Sequence, residues 1–247
     1  MRRNMLVLIA VLCAVVLFVS ACALPAAPAA PLTPVTVQLA WTHQAQFAGL
    51  YAADQNGYFA EEGITVFFIP GGPGVDKLAP VMEGVAQFGI AGPDELIIAR
   101  ADGKPLQAVA TVFRRSPIVF ISLAEKGIKG PQDFVGKTIR TPAILAPSLH
   151  AMMARIGVAA DQYAVVDLPS DLSLFASGDV PVWGVYLNIF VVTVEQAGIE
   201  INRVFPDDYG VHFYADTIFT TDALIAADPD LVLRFVRAAL KLSLIHI

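Results

Sequence analysis

Trp41, His43, Gln44 and Gln46 bring an indole and three hydrogen-bonding side chains together within six residues. That set suits capture of a flat heterocycle. The indole can stack on a ring, which adds about 0.5–1.5 kcal/mol beyond area burial, and His43 and Gln46 can hydrogen-bond ring heteroatoms. Phe47 would line the cleft floor or join the core, and Tyr51 reads as core. Gly71, Gly72 and Gly74 could offer backbone N–H groups to an anionic or carbonyl oxygen. No Gly-Lys-Ser/Thr follows them, so they make no phosphate loop. Asp94 stands at a helix start, where it either caps the helix or points into a cleft. Arg114 and Arg115 end a strand and read as hinge charges or as partners for a phosphate or sulfonate. Trp183 and Tyr186 mark the end of a later strand and could close an aromatic sandwich opposite Trp41. Tyr209 and Tyr214 are weaker versions of the same idea.

Reactive groups are scarce. The two cysteines, Cys13 and Cys22, both lie near the N-terminus, which leaves no thiol nucleophile, disulfide or zinc-type pair in the folded part. Neither Gly-x-Ser-x-Gly nor His-Glu-x-x-His occurs. Lys77, Lys104, Lys126, Lys129 and Lys137 fall in turns or on polar faces, not in a Schiff-base setting. The expectation is a capture surface that needs no cofactor and no metal, and no enzyme.

The N-terminus carries its own signal. Met1-Arg2-Arg3-Asn4 precedes an unbroken apolar run from Met5 to Val19, short for a membrane-spanning helix and suited to a secretory h-region. Val19-Ser20-Ala21-Cys22 resembles a lipobox, with Cys22 the lipidated residue and residues 1–21 removed. Residues 22–34 are rich in Ala and Pro, as in a semi-rigid tether. Loss of Arg2 and Arg3 would shift the net charge from −6 to −8, and no basic patch suggests a nucleic-acid partner. At the other end, residues 242–247 (LSLIHI) follow an amphipathic helix without a stop and look like a translated sequencing adapter.

The elements that must position these residues form βα units. Val35–Ala40 alternates as a strand, a helix runs from Ala45 to Gln55, Asn56-Gly57 ends it, and Ile64–Ile69 is the next strand. Such a unit implies a parallel pair with a right-handed crossover. A helix over Val75–Glu83 and strands over Ala86–Ala91, Leu106–Phe113 and Pro117–Ala124 follow. After Gly130-Pro131 the pattern restarts, with strands at Lys137–Arg140, Tyr163–Asp167 and Val180–Tyr186 and a helix over Phe190–Ala197. Two clusters of βα units predict an α/β fold of two lobes with a cleft between them. Residues 35–120 and 206–241 are assigned to lobe 1, and residues 121–205 to lobe 2.

This arrangement resembles the substrate-binding lipoproteins of bacterial ABC importers, in the group that binds thiamine pyrimidine precursors, sulfonates and riboflavin. The carrying pieces are W-x-H-Q-x-Q-F-A-G-x-Y-x-A (Trp41 to Ala53), G-Y-F-x-E-E-G-I (Gly57 to Ile64), P-G-G-P-G (Pro70 to Gly74), A-Q-F-G-I (Ala86 to Ile90), A-R-A-D-G-K-P (Ala99 to Pro105) and Y-G-V-H-F-Y-A-D (Tyr209 to Asp216). The resemblance implies a type II periplasmic-binding-protein fold, closed by a hinge around a small aromatic heterocycle. It also implies a monomer, lipid-anchored outside the cytoplasm of a bacterium, that hands its ligand to an ABC permease. An alkanesulfonate binder, a thiamine-pyrimidine synthase-like enzyme and a receptor's ligand-sensing domain are the alternatives. Pro181, where such proteins often carry an acid, and the apolar Asn188-Ile189-Phe190 depart from the group's pattern.

Overall fold

Val35 and Val37 alternate with more exposed neighbours and are fully buried, which makes β1 (Thr33–Gln38) the centre of a first sheet. The computed structural model describes residues 31–245. The expected signal peptide, Cys22, most of the tether and residues 246–247 lie outside the described residues. The tether's far boundary is corrected: Thr33 and Pro34 already pair with Ile64 and Thr65. Pro34 is tolerated because β3 joins β1 only from Val37 onward, so one side of the strand is unpaired at that point.

β1 pairs in parallel with β2 (Ile64–Ile69) and β3 (Phe88–Ala91). β4 (Leu106–Phe113) and β10 (Ala215–Thr221) complete the order β2-β1-β3-β10-β4, with β10 antiparallel to both its neighbours. The second sheet contains β5 (Ile118–Leu123), β6 (Thr138–Arg140), β7 (Ala164–Val166), β8 (Val182–Tyr186) and β9 (Ile201–Val204). Its order is β7-β6-β8-β5-β9, with β5 antiparallel to β8 and β9. The two sheets therefore share one topology. Each has four strands running in one direction, whose crossovers need helices or long connections, and one antiparallel strand supplied where the chain arrives from the other lobe.

Those arrivals correct the expected lobe boundaries. β5 pairs wholly within the second sheet, so the first crossing is residues 114–117, ahead of residue 120. Tyr209, Val211 and Phe213 pack on the second lobe's core before β10 opens at Ala215, so the return falls near residue 214 and not at 206.

Core packing fixes the strands to their helices. In lobe 1 the helix Pro229–Ile245 lays Leu231, Phe235, Ala238 and Ala239 against the sheet. The Phe235 ring stacks on Phe88 at 3.9 Å and on Phe59 at 5.4 Å. Two expected helices differ. The segment Val75–Glu83 is helical only at Ala79–Met82, because the Asp76 carboxylate accepts the Leu78 and Ala79 N–H groups in a local turn. The helix expected from Phe190 begins earlier, as a π-turn over Leu187–Val191 that continues into Val192–Gln196. No helix among the described residues is long and apolar enough to cross a membrane.

Candidate ligand-binding cleft

In open α/β sheets, ligands sit outside the carboxyl ends of the strands. Here four such ends face one cavity of about 180 Å³. Ala40, Trp41, Gln44 and Gln46 reach it from beyond β1. Arg140, Pro142, Ile144 and Leu145 reach it from β6 and the segment after it, Ser170 from the loop after β7, and Gly184, Val185, Tyr186, Ile189 and Phe190 from β8 and the turn that follows it. A smaller pocket of about 30 Å³ shares Ala40, Ile144 and Tyr186 and adds Asp94, Tyr214 and Asp216.

The β1 end is held in place by Gly71. Its N–H donates to the Trp41 carbonyl at 3.0 Å, and a Cβ there would stand 2.5 Å from the Leu39 carbonyl oxygen. Gly71 therefore sets where Trp41 lies, and its amide is not offered to a ligand. Gly72 and Gly74 belong to the same turn and do not line the cavity.

A chain of amides runs from the cavity wall into the protein. Gln44 Nε2 donates to Gln46 Oε1 at 2.6 Å. Gln46 Nε2 in turn donates to both carboxylate oxygens of Asp216 at 2.8 Å. Asp216 is buried and has a φ of 47°, the left-handed region that few non-glycine residues occupy. Burial pushes its carboxyl up to about 6, against the opposing pull of the Gln46 hydrogen bond and the Lys77 charge. Burial, helped by the negative charges of Asp216, Asp94 and Glu95, also holds the Tyr186 phenol well above its ordinary value. Tyr186 thus faces the cavity as a neutral ring and hydroxyl.

On the opposite wall, Arg140 is 3% exposed. Its Nε donates to the Leu168 carbonyl at 2.7 Å, Nη1 to the Gly184 carbonyl at 3.1 Å and Nη2 to Ser170 Oγ at 3.0 Å. Its guanidinium lies 5.1 Å from the Trp183 ring centroid.

Of the sequence-predicted residues, Trp41, Gln44, Gln46 and Tyr186 line the main cavity, and Asp94 and Tyr214 the smaller one. Asp94 does not cap its helix: the N-cap is Gly92 and no side chain bonds there. The others are placed elsewhere. Trp183 is fully buried, donates Nε1–H to Val180 and stacks on Phe190. It sits three residues from Tyr186 on β8, and a strand's two-residue alternation sends the pair to opposite faces. The proposed Trp183–Tyr186 sandwich is therefore corrected. Phe47 is core, edge-on to Tyr51. His43 is exposed and its Nδ1 lies 2.7 Å from the Tyr51 hydroxyl, away from the cavity. Tyr209 packs on the second lobe's core. Pro181 precedes β8 and does not line the cavity, whereas Ile189 and Phe190 in the π-turn do.

Arg140, Ser170 and Asp216 were absent from the expected site. Arg140 was open to discovery by the rule that singled out Trp41, since it ends a parallel strand. Asp216 carried no such mark, because its burial depends on Gln46, 170 residues away.

A family model described as NMT1/THI5 like matches residues 44–242. The chain belongs to the NMT1/THI5-like family. Among its relatives, the formylaminopyrimidine-binding protein of Halalkalibacterium halodurans is 31% identical over 234 residues, covering 92% of this chain and 70% of that protein. The riboflavin-binding protein of Chloroflexus aurantiacus is 29% identical over 213 residues, covering 84% of this chain and 60% of that protein. A 4-amino-5-hydroxymethyl-2-methylpyrimidine phosphate synthase of Legionella pneumophila shares 29% over 105 residues, 42% of this chain and 33% of the synthase. In fold, the chain is similar to the periplasmic aliphatic sulphonate binding protein of Escherichia coli, with a TM-score of 0.69 at 14% identity, covering 85% of this chain and 72% of that one. The two-lobed periplasmic-binding fold expected from the sequence is thus the fold observed.

Proposed function

We propose that this NMT1/THI5-like protein is the substrate-binding protein of an ABC importer. It captures a small aromatic heterocycle outside the cytoplasm and passes it to a permease, without altering it. The observation that carries this reading is one cavity lined from both lobes, with Trp41 and the Gln44–Gln46 amides on one side and Tyr186 with Ile144 and Phe190 on the other. Such a site is mostly apolar, with a few polar groups that fix orientation. Closing the lobes about a hinge would bury the ligand between the rings. The relatives named for pyrimidine and riboflavin binding support a heterocycle of that kind. The synthase relative keeps an enzymatic reading in view, but no group of three or more potential metal ligands occurs among the described residues and neither cysteine falls within them. Cys22 as a lipid attachment point is part of the same proposal.

A thermal-shift panel of aminopyrimidines, thiamine, riboflavin and alkanesulfonates tests it. Ligand at 100 times its dissociation constant should stabilise the protein by about 2.7 kcal/mol. A shift with a heterocycle, and its recovery chemically unchanged, is the expected result. A shift with sulfonates alone, or conversion of the heterocycle, would overturn the reading.

A further inference from the structure

The cleft contains a cation that the heterocycle reading leaves unused. Arg140 ends β6 on the lobe-2 wall of the cavity, is buried, and forms no ion pair among the described residues. Its three hydrogen bonds go to two carbonyls and a hydroxyl, all neutral acceptors. Arginine has five N–H donors, so one remains on each terminal nitrogen. The nearest compensating charge acting on it is Asp167, an exposed carboxylate that acts only through space.

Buried charges are costly unless paired, and arginine is seldom fully buried without a partner. Desolvation holds the guanidinium pKa below its ordinary value, the direction expected of a cation that lacks a close anion. The side chain is nonetheless rigidly held. Leu168 and Ser170 fix it from the loop after β7, Gly184 from β8, and the Trp183 ring from below. Pre-positioning of this sort lowers the ordering cost when a ligand binds. Ser170 is exposed, lines the same cavity, and adds a hydroxyl next to the two spare N–H groups. Planar paired donors of a guanidinium match the oxygens of a carboxylate, sulfonate or phosphate.

We propose that Arg140, with Ser170, is an oxyanion subsite, and that the natural ligand is a heterocycle carrying an anionic oxygen group on the side that faces lobe 2. This rests on the capture reading above and adds the ligand's charge to it. Lobe 1 would then read the ring through Trp41 and the Gln44–Gln46 amides, and lobe 2 would read the charged substituent. Because the two walls come from different lobes, a ligand carrying both features would favour the closed arrangement over the open one.

Matched pairs differing only in the anion decide it. Binding of riboflavin and riboflavin 5′-phosphate, and of 4-amino-5-hydroxymethyl-2-methylpyrimidine and its phosphate, is measured by calorimetry, with butane-1-sulfonate as an anion lacking a ring. The expected result is that the phosphorylated member of at least one pair binds about tenfold or more tightly than its alcohol, as for a charge-assisted hydrogen bond. In Arg140→Gln that gap should collapse, and Arg140→Lys should retain part of it. Equal affinities within both pairs for the unaltered protein overturn the subsite and leave the capture reading standing. This comparison needs no variant, so a variant that fails to fold does not blunt it. A gap that survives in folded Arg140→Gln also overturns the role of Arg140. If butane-1-sulfonate binds through Arg140 while every heterocycle fails, the subsite stands and the heterocycle reading falls. Binding by none of the five overturns both.

Discussion

Asp216 gives the protein a pH dependence of unusual sign. Its carboxyl stands at about 6 when folded, against an ordinary value of 3.8. Between those two values the folded state holds more protons than the unfolded one, so stability falls as the pH rises from about 4 to about 6 and is level above that. A displacement of this size corresponds to roughly 3 kcal/mol. Asp216→Asn, which keeps a side chain able to face Gln46, is expected to remove most of that slope. Urea midpoints of the two proteins at pH 4 and pH 7 check this: the wild type should lose ground relative to the variant at the higher pH. A constant difference across the range would mean that Asp216 titrates as an ordinary surface acid. The two tryptophans part in the same manner. Trp183→Ala empties a fully buried, stacked position and should cost about 3–5 kcal/mol of stability. Trp41→Ala leaves a half-exposed cavity wall and should weaken ligand binding instead. Chemical denaturation and calorimetry on both variants separate these outcomes.

At the scale of elements, the strand ends matter more than the strands. Gly71 allows the turn after β2 to lie against the Leu39–Trp41 backbone, and an added methyl would meet the Leu39 carbonyl oxygen at 2.5 Å. The atoms it would meet are all backbone of residues 39–41, which leaves little room to relax. Gly71→Ala is expected to destabilise lobe 1 by about 1–3 kcal/mol, the usual cost of overpacking, and to weaken ligand binding by moving Trp41. Unchanged affinity in the variant would show that Trp41 is positioned by something else. The same comparison shows what could be read from the sequence. The strands read at Val35–Ala40, Ile64–Ile69 and Leu106–Phe113 fall within two residues of β1, β2 and β4, because strand signals are local. The polar and aromatic cluster after β1 was legible for the same reason, down to Trp41 and Gln46. The second wall was misread at Trp183 because proximity in sequence was taken for a shared face, although alternation along β8 separates it from Tyr186. Asp216 and the Arg140 pocket were illegible for another reason. Their chemistry is created by burial and by partners 28 to 170 residues away, and no local pattern records that.

At the scale of the whole molecule, the two chain crossings are tied to each other by one carboxylate. Arg115 lies in the first crossing, while Asp207 and His212 lie in the segment leading to the second. Asp207 bonds both, and the His212 hydrogen bond, followed by Arg115, holds its carboxyl below the usual range. Surface ion pairs contribute little to stability, so the consequence belongs to lobe motion and not to folding. A hinge built from two chain segments opens more freely when they are not linked. Asp207→Asn is expected to leave the thermal midpoint nearly unchanged while enlarging the open population of the ligand-free protein. Apparent affinity falls in proportion to the fraction of molecules competent to bind, so halving that fraction raises the apparent Kd about twofold. Small-angle scattering of the free and ligand-saturated forms, with calorimetry on the same samples, makes the check. The variant should show a larger free-state radius of gyration, the same saturated radius as the wild type, and a weaker Kd. If the free-state radius and the Kd both stay at wild-type values, Asp207 is surface decoration and lobe closure is governed by the cleft walls alone.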